Sequence, residues 1–203
     1  MNTKLLAFCL GDGTIGKDYM LQIVHCAQQK EYIEWKYSLI NEEIPCSLPQ
    51  LFNNRGYPSY RIHTKTNKQN NQDLKEIKEK LYGLKGEKYY SQEIVDSMDT
   101  FCFAVLYMDD GSLVAKKRNG KIHAFDLTIS ICGDIDECNR LINKLLQFGL
   151  RFTIKKDKGL FSIRCGTKSA RKFLNLIKDK HPNFDCFSHS KFQDTKTHFT
   201  DFI

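Results

Sequence analysis

The clearest pattern in the chain is a pair of apolar runs that both end in Asp-Gly. Residues 5–13 spell LLAFCLGDG and residues 103–111 spell FAVLYMDDG. Each run is about two helical turns long, and the aspartates before the final glycines are 98 positions apart in a chain of 203 residues. The segments that follow also match, because residues 19–26 and 125–132 mix apolar and polar positions and both close on cysteine. The pattern therefore predicts two related halves.

The remaining segments continue this parallel. Hydrophobic periodicity predicts four helices, at 28–40, 71–84, 134–148 and 168–181. It also predicts two strand regions, within 57–65 and 150–165, and the second of these contains a turn at 157–159. Ser91 is a candidate helix cap in a short linker over residues 91–99. We therefore expect an α/β (α+β) fold of two pseudo-symmetric αββαββα repeats, over residues 1–95 and 96–203.

Charge and cysteine usage narrow the class of protein. The halves 1–99 and 100–203 carry 13 and 18 basic residues against 13 and 11 acidic ones, so the whole net charge of +7 lies in the second half. A basic half makes a polyanion a plausible partner. The 8 cysteines form no CxxC pair, and no zinc-type Cys-His spacing occurs, which favours a reducing, intracellular compartment. No apolar run approaches the roughly 18 residues that span a bilayer, so no membrane partner is expected.

The two apolar runs predict a specific arrangement if both are helices packed side by side. Ala7 and Gly11 are four positions apart, so they share one helix face and allow two backbones to approach closely. Asp12 and Asp110 would then emerge together where the helices end. Adjacent carboxylates repel each other unless a cation lies between them, and Mg²⁺ prefers carboxylate, carbonyl and water oxygens. A single such run would be explained equally well by a buried helix with a glycine cap.

The duplicated pattern resembles the single-chain, two-motif LAGLIDADG homing endonucleases over essentially the whole chain. The endings at residues 10–13 and 107–112 are most similar to the intron-encoded branch of that family. The resemblance implies a monomer with a saddle-shaped antiparallel β surface over double-stranded DNA. It also implies that Asp12 and Asp110 are catalytic and bind two or three Mg²⁺ ions, with Gly11 contributing to the metal site. Mn²⁺ is expected to substitute for Mg²⁺, and Ca²⁺ to support binding without cleavage.

Two features depart from the usual motif or extend it. The third and seventh positions of the second motif are Val105 and Asp109, where small residues are usual. Asp109 is therefore either an additional carboxylate of the metal site or a solvated or capping side chain. The resemblance also places catalytic lysines before the linker helix and near the C-terminus, at Lys88 and Lys191. A lysine there could stabilise charge on a phosphate, although any single lysine could instead be a solvated surface charge.

Strand alternation predicts the residues that contact DNA. Apolar members of each strand should face the helices, so the polar members face the opposite side, where a two-stranded ribbon fits the major groove. A basic segment at 116–121 is expected to join two strands and contact phosphates, or else to be an ordinary solvated hairpin. The predicted DNA-binding residues are Gln22, Arg61, His63, Lys65, Lys116, Lys117, Arg118, Lys121, Thr128, Ser130, Arg151, Thr153, Lys155, Ser162 and Arg164.

Three other functions were compared with DNA cleavage. Residues 107–110 also spell the YMDD turn of reverse transcriptases, but that turn joins two strands in a much longer chain. A transcriptional regulator on this scaffold would need an additional helix-turn-helix region. An intron RNA maturase is the main alternative, with the chain's own intron RNA as partner. We expect a site-specific, Mg²⁺-dependent endonuclease that cuts both strands of a long asymmetric DNA target. We also expect a free-standing intron-encoded protein, since the motif follows Met1 almost at once.

Overall fold

The computed structural model describes residues 1–65, 72–84, 86–131 and 133–180. Within these ranges the chain forms seven α-helices and eight β-strands. The helices are α1 (Thr3–Leu10), α2 (Lys30–Glu43), α3 (Gln72–Leu81), α4 (Gln92–Ser97), α5 (Thr100–Asp110), α6 (Ile135–Gln147) and α7 (Thr167–Ile177). The strands are β1 (Thr14–Ile15), β2 (Leu21–Cys26), β3 (Gln50–Asn54), β4 (Tyr57–His63), β5 (Gly111–Arg118), β6 (Lys121–Ile131), β7 (Thr153–Asp157) and β8 (Leu160–Gly166). Short 3₁₀ turns lie at Ala27–Gln29 and Lys178–Lys180.

The strands form two antiparallel four-stranded sheets with the same topology. The strand orders are β1-β2-β4-β3 and β5-β6-β8-β7. Each half therefore follows the predicted order of one helix, two strands, one helix, two strands and one helix, and the predicted α+β fold class is confirmed. The predicted division at residues 95 and 96 falls inside α4, which joins the halves, and it stays a prediction.

Three hairpin turns fix the register of the sheets. Arg55–Gly56, Asn119–Gly120 and Lys158–Gly159 each have a positive φ at both residues. Two successive residues with positive φ form the type I′ turn, whose twist matches that of the flanking strands. The turn predicted at 157–159 is confirmed. The segment at 116–121 is mostly strand, because its turn consists of Asn119 and Gly120 alone.

The helices α1 and α5 form the middle of the protein. Residues 5–10 of α1 and 102–109 of α5 are all buried. A helix that is apolar around its whole circumference must be covered on all sides, so these two pack against each other and are enclosed by the other helices and sheets. Phe8 in the second half of α1 and Phe101 in the first turn of α5 form an edge-to-face ring pair with centroids 5.7 Å apart. Val105 is fully buried and does not prevent the helices from meeting.

Several element boundaries differ from the sequence prediction. Ser91 caps α4 as expected, since its side chain accepts a hydrogen bond from the Ile94 N–H. However, α3 ends at Leu81, because the chain turns at Gly83 and pairs Tyr82 with Lys88. α7 ends at Ile177, and His181 at the predicted end lies outside the described residues. Among the described residues, no helix is both long and apolar enough to span a membrane.

Candidate active site and nucleic-acid interface

The two motif aspartates lie at the ends of the central helices, in different local backbone. α1 ends at Leu10, and Gly11 leaves the helix with φ −89° and ψ −119°, so Asp12 follows outside the helix. α5 continues through Asp110 and is capped by Gly111, whose N–H donates to the Tyr107 carbonyl. Asp12 is exposed and Asp110 is half-buried. The pseudo-equivalent carboxylates are therefore held by different means.

A hydrogen bond joins the two motif ends directly. The Asp12 N–H donates to Oδ2 of Asp109, the neighbour of Asp110, at 2.9 Å. Gly11 lies against the same carboxylate, and a Cβ at that position would collide with Asp109. Glycine is thus required at the seventh position of the first motif because the seventh residue of the second motif fills the space. The structure therefore places Gly11, Asp12, Asp109 and Asp110 at one corner of the fold, which we call the motif corner.

Asp109 is a buried ion rather than a solvated or capping side chain. Lys36 donates to its two carboxylate oxygens at 2.7 and 2.9 Å, and the Tyr32 hydroxyl donates to Oδ1 at 2.6 Å. The side chains of Lys36 and Asp109 are both 0% exposed. Burial alone would raise the pKa of the Asp109 carboxyl, but the charges of Lys36 and His25 and the hydrogen bonds from Lys36 and Tyr32 hold it below its usual value. Asp109 is therefore ionised in the folded protein.

A buried histidine completes this corner. His25 Nδ1 lies 3.5 Å from Oδ2 of Asp12, and its ring packs against Tyr32 with centroids 4.8 Å apart. Ligand atoms of Asp12, His25 and Asp109 all lie within 4.8 Å of one another. Both Asp109 oxygens already accept hydrogen bonds from protein groups. The metal-binding roles of Gly11, Asp12, Asp109 and Asp110 stay predictions.

Lys88 reaches the same corner from the segment before α4. Its ammonium donates to the carbonyl of Gly11 and lies 3.4 Å from that of Leu10. Burial lowers the pKa of Lys88, and the nearby aspartate charges oppose that shift. Lys88 thus contacts the main chain at the end of the first motif, and its predicted catalytic role stays a prediction. Lys191, the second predicted lysine, lies outside the described residues.

The second sheet presents the predicted polar rows on one face. Arg164 in β8 pairs with Thr128 in β6 and with Thr153 in β7, so these three side chains lie side by side. Ser162 pairs in the same way with Ser130 and Lys155, forming a second row. Arg164, Thr153 and Lys155 are exposed, and the intervening Ile163 is buried. Alternation along β7 and β8 therefore agrees with the predicted outward and inward sides.

The ends of this face differ in detail from the sequence prediction. Arg151 is exposed but precedes β7, so it is not a strand residue. Lys116 lies on the same face as Thr128, and its ammonium pairs with Asp126 at 2.6 Å, which reduces its positive charge there. A β-bulge follows Lys116, and Lys117, Arg118 and Lys121 continue to the exposed end of the hairpin.

The first sheet repeats the arrangement with fewer charges. His63 pairs with Gln22 in the first sheet, at the position that corresponds to the pair of Arg164 and Thr128 in the second sheet. The predicted equivalence of Gln22 and Thr128 therefore agrees with the register of the two sheets. Arg61 lies on the same face and its guanidinium carbon is 5.1 Å from the Phe52 ring centroid. Lys65 is exposed but follows the end of β4.

The sequence prediction missed the side chains that support Asp12. Sequence patterns give Tyr32, Lys36 and His25 no role beyond membership of a helix and a strand. A signal for Lys36 was present, because it occupies the same stripe of α2 as the buried residues Tyr32, Ile33 and Ile40. A lysine on an apolar stripe needs a buried anion, but the sequence alone does not say which one.

The sequence of this chain is similar to those of known proteins. The profile of the LAGLIDADG DNA endonuclease family matches residues 6–173. The RecA protein of Mycobacterium gastri is 28% identical over 163 residues, which are 77% of this chain and 36% of that protein. RecA of Mycobacterium shimoidei is 27% identical over 162 residues. The chain thus spans about a third of the length of these curated relatives.

Two solved structures share the architecture. The homing endonuclease I-WcaI bound to its DNA recognition sequence superposes with a TM-score of 0.71 at 25% identity, over 89% of this chain and 81% of that one. Mesophilic variants of the homing endonuclease I-DmoI share the fold, with a TM-score of 0.53 at 15% identity, over 89% of this chain and 96% of theirs. With its two helix-ending motifs, its two matching sheets and a family profile that covers most of its length, this chain belongs to the LAGLIDADG DNA endonuclease family.

Proposed function

We propose that this chain is a site-specific endonuclease that cuts both strands of a long, asymmetric double-stranded DNA target with the help of divalent metal ions. The observation that carries the proposal is the joining of the two motif ends, through the Asp12 to Asp109 hydrogen bond, in a chain of the DNA endonuclease family. I-WcaI, the similar protein described above, is bound to its DNA recognition sequence. The halves of this chain differ in their polar face residues, which suits a target whose two half-sites differ.

The metal chemistry would depend on Asp12 and Asp110. These carboxylates, with the Gly11 carbonyl, would hold Mg²⁺, in two or three sites, with Mn²⁺ able to replace it and Ca²⁺ supporting binding without cleavage. Bound Mg²⁺ supplies a Lewis acid that makes a phosphodiester more susceptible to hydrolysis. Cleavage would leave 5′-phosphate and 3′-hydroxyl ends.

The protein's own groups would contribute charge and position. The Lys88 ammonium, adjacent to the motif corner, would stabilise negative charge that develops on the phosphate. Lys191 is proposed for a similar role on the basis of the family resemblance. On the second sheet, Arg164 would read a base edge or contact a phosphate, with Thr128 and Thr153 beside it.

Oligomeric state and compartment are further parts of the proposal. One chain supplies both motifs, so we propose that it acts as a monomer. Six cysteines in the described residues are free and five of these are buried, which is consistent with a reducing, intracellular compartment. We also propose an intron-encoded origin, with intron RNA binding as the main alternative function.

The decisive experiment is cleavage of a plasmid that carries the candidate insertion site from the genomic context of the reading frame. Wild-type protein with Mg²⁺ should linearise the plasmid, whereas Asp12→Asn and Asp110→Asn should bind it in Ca²⁺ but leave it intact. Asp136→Asn, at an exposed carboxylate in the first turn of α6, is the matched control and should cut normally. Full cleavage by either motif variant would refute the role given to these carboxylates. Binding without cleavage by the wild type, together with faster splicing of its intron RNA, would favour a maturase.

A further inference from the structure

We propose that the buried Asp109 side chain, held in place by Tyr32 and Lys36, positions Asp12 and thereby supports one half of the catalytic site but not the other. The inference rests on the proposed function, because it assigns a positioning role for the same reaction. Asp109 would not itself contact the metal or the phosphate. It would act through the backbone of Asp12.

The backbones of the two motif aspartates are held in different ways. Asp110 belongs to the last turn of α5, so regular helical hydrogen bonds fix its backbone. Asp12 lies beyond the end of α1, after Gly11, in a turn outside the helix. Its N–H instead donates to Oδ2 of Asp109 at 2.9 Å. The position of Asp12 therefore depends on a side chain from the other half of the protein.

The Asp109 carboxylate is itself held by two side chains. Lys36 contacts both of its oxygens and Tyr32 contacts Oδ1, and the side chains of Lys36 and Asp109 are completely buried. A buried carboxylate held by two such donors through three contacts has few alternative orientations, so it presents Oδ2 to the Asp12 N–H in a fixed place. Tyr32 and Lys36 come from α2, which thereby connects the outer helix layer to the motif corner.

The equivalent positions of the second half lack this support. The buried stripe of α2, Tyr32-Ile33-Lys36-Ile40, corresponds to Glu137-Cys138-Leu141-Leu145 in α6. Leu141 thus takes the place of Lys36. In the motifs, Gly11 takes the place of Asp109, and in the central strands Ile131 takes the place of His25. The Lys36–Asp109 ion pair therefore has no counterpart at the equivalent positions Leu141 and Gly11.

The test compares two double variants in which the buried charges are removed together. Lys36→Met with Asp109→Asn keeps a side-chain oxygen that can accept the Asp12 N–H. Lys36→Met with Asp109→Ala keeps no acceptor. We expect the first, in which Tyr32 can still contact the side chain of residue 109, to cut the two strands at similar rates. We expect the second to cut one strand at least about tenfold more slowly than the other, since small displacements of a catalytic group have effects of this size.

The readout is the amount of nicked plasmid formed over time, with Ca²⁺-supported DNA binding measured alongside. Nicked circles should accumulate with the Asp109→Ala double variant while its DNA affinity stays unchanged. Equal slowing of both strands, or normal cutting by a folded Asp109→Ala double variant, would overturn the proposal. If that variant does not fold, Gly11→Ala replaces it, because the added Cβ would displace the Asp109 carboxylate. The same strand preference is then expected.

A metal titration separates this inference from the proposed function. Mn²⁺ binding, followed by electron paramagnetic resonance without DNA, should be weaker for the Asp109→Ala than for the Asp109→Asn double variant. If the wild type cuts no DNA but this difference is found, the proposed function fails and the positioning role stands. Equal Mn²⁺ affinities in the two double variants would overturn the positioning role whatever the cleavage result.

Discussion

The buried pair of Lys36 and Asp109 makes a sharp prediction about stability. Lys36→Met leaves the fully buried Asp109 carboxylate without its ammonium partner. Removing one partner of a buried ion pair costs about 3–5 kcal/mol. In a domain of this size each kcal/mol lowers the melting temperature by roughly 2–4 °C, so the expected decrease is about 6–20 °C.

The reverse single change should be similarly destabilising. Asp109→Ala leaves the buried Lys36 ammonium without its counter-ion and also removes the acceptor of the Asp12 N–H. Removing both charges together should restore much of the loss, because apolar replacements for a buried ion pair are often neutral or stabilising. A double-mutant cycle should therefore give a coupling energy of at least about 3 kcal/mol.

Urea denaturation at neutral pH, followed by circular dichroism, measures all four proteins of the cycle. Lys4→Met is a suitable control, since Lys4 pairs with Glu42 and Glu43 at a partly exposed site. Such pairs contribute about 0–1 kcal/mol. If the single changes at Lys36 and Asp109 were as mild as the control, or if their effects simply added, the buried ion pair would not have the energetic role assigned to it.

Three further predictions concern DNA and thiol chemistry. Arg164→Ala should weaken target binding or relax base specificity at one position of the target, measured on a library of single-base target variants. Lys172→Ala, on the exposed side of α7, is the control and should do neither. If the Arg164 variant and the wild type gave identical binding profiles, Arg164 would not contact DNA. Lys88→Met should lower the cleavage rate more than DNA affinity, because the ammonium contacts the motif turn; a loss confined to affinity would contradict a catalytic role. Iodoacetamide followed by peptide mass spectrometry should modify exposed Cys26 well before Cys9, since burial raises the pKa of Cys9 to about 12; equal labelling in the folded protein would contradict its burial.

Much of this protein is determined by local and periodic features of its sequence. The repeated apolar runs identify the two central helices, because helices buried on every side must be apolar on every side. Strand alternation predicts the outward rows with Arg164 and Thr128, since successive side chains on a strand point to opposite faces. The Asn119–Gly120 and Lys158–Gly159 pairs mark hairpin turns, because those turns require positive φ at both residues.

The tertiary structure decided what the motif residues contact. Nothing in the chain pairs Lys36 with Asp109, which are separated by 73 positions, and neither residue alone identifies the other as its counter-ion. Only packing of α2 against the motif corner brings them together. Likewise, the need for glycine at position 11 becomes apparent only when the Asp109 carboxylate fills the space beside it. Periodicity tells which side of a helix or strand is buried, but charge pairing in the interior depends on which elements meet, and that is a property of the assembled fold.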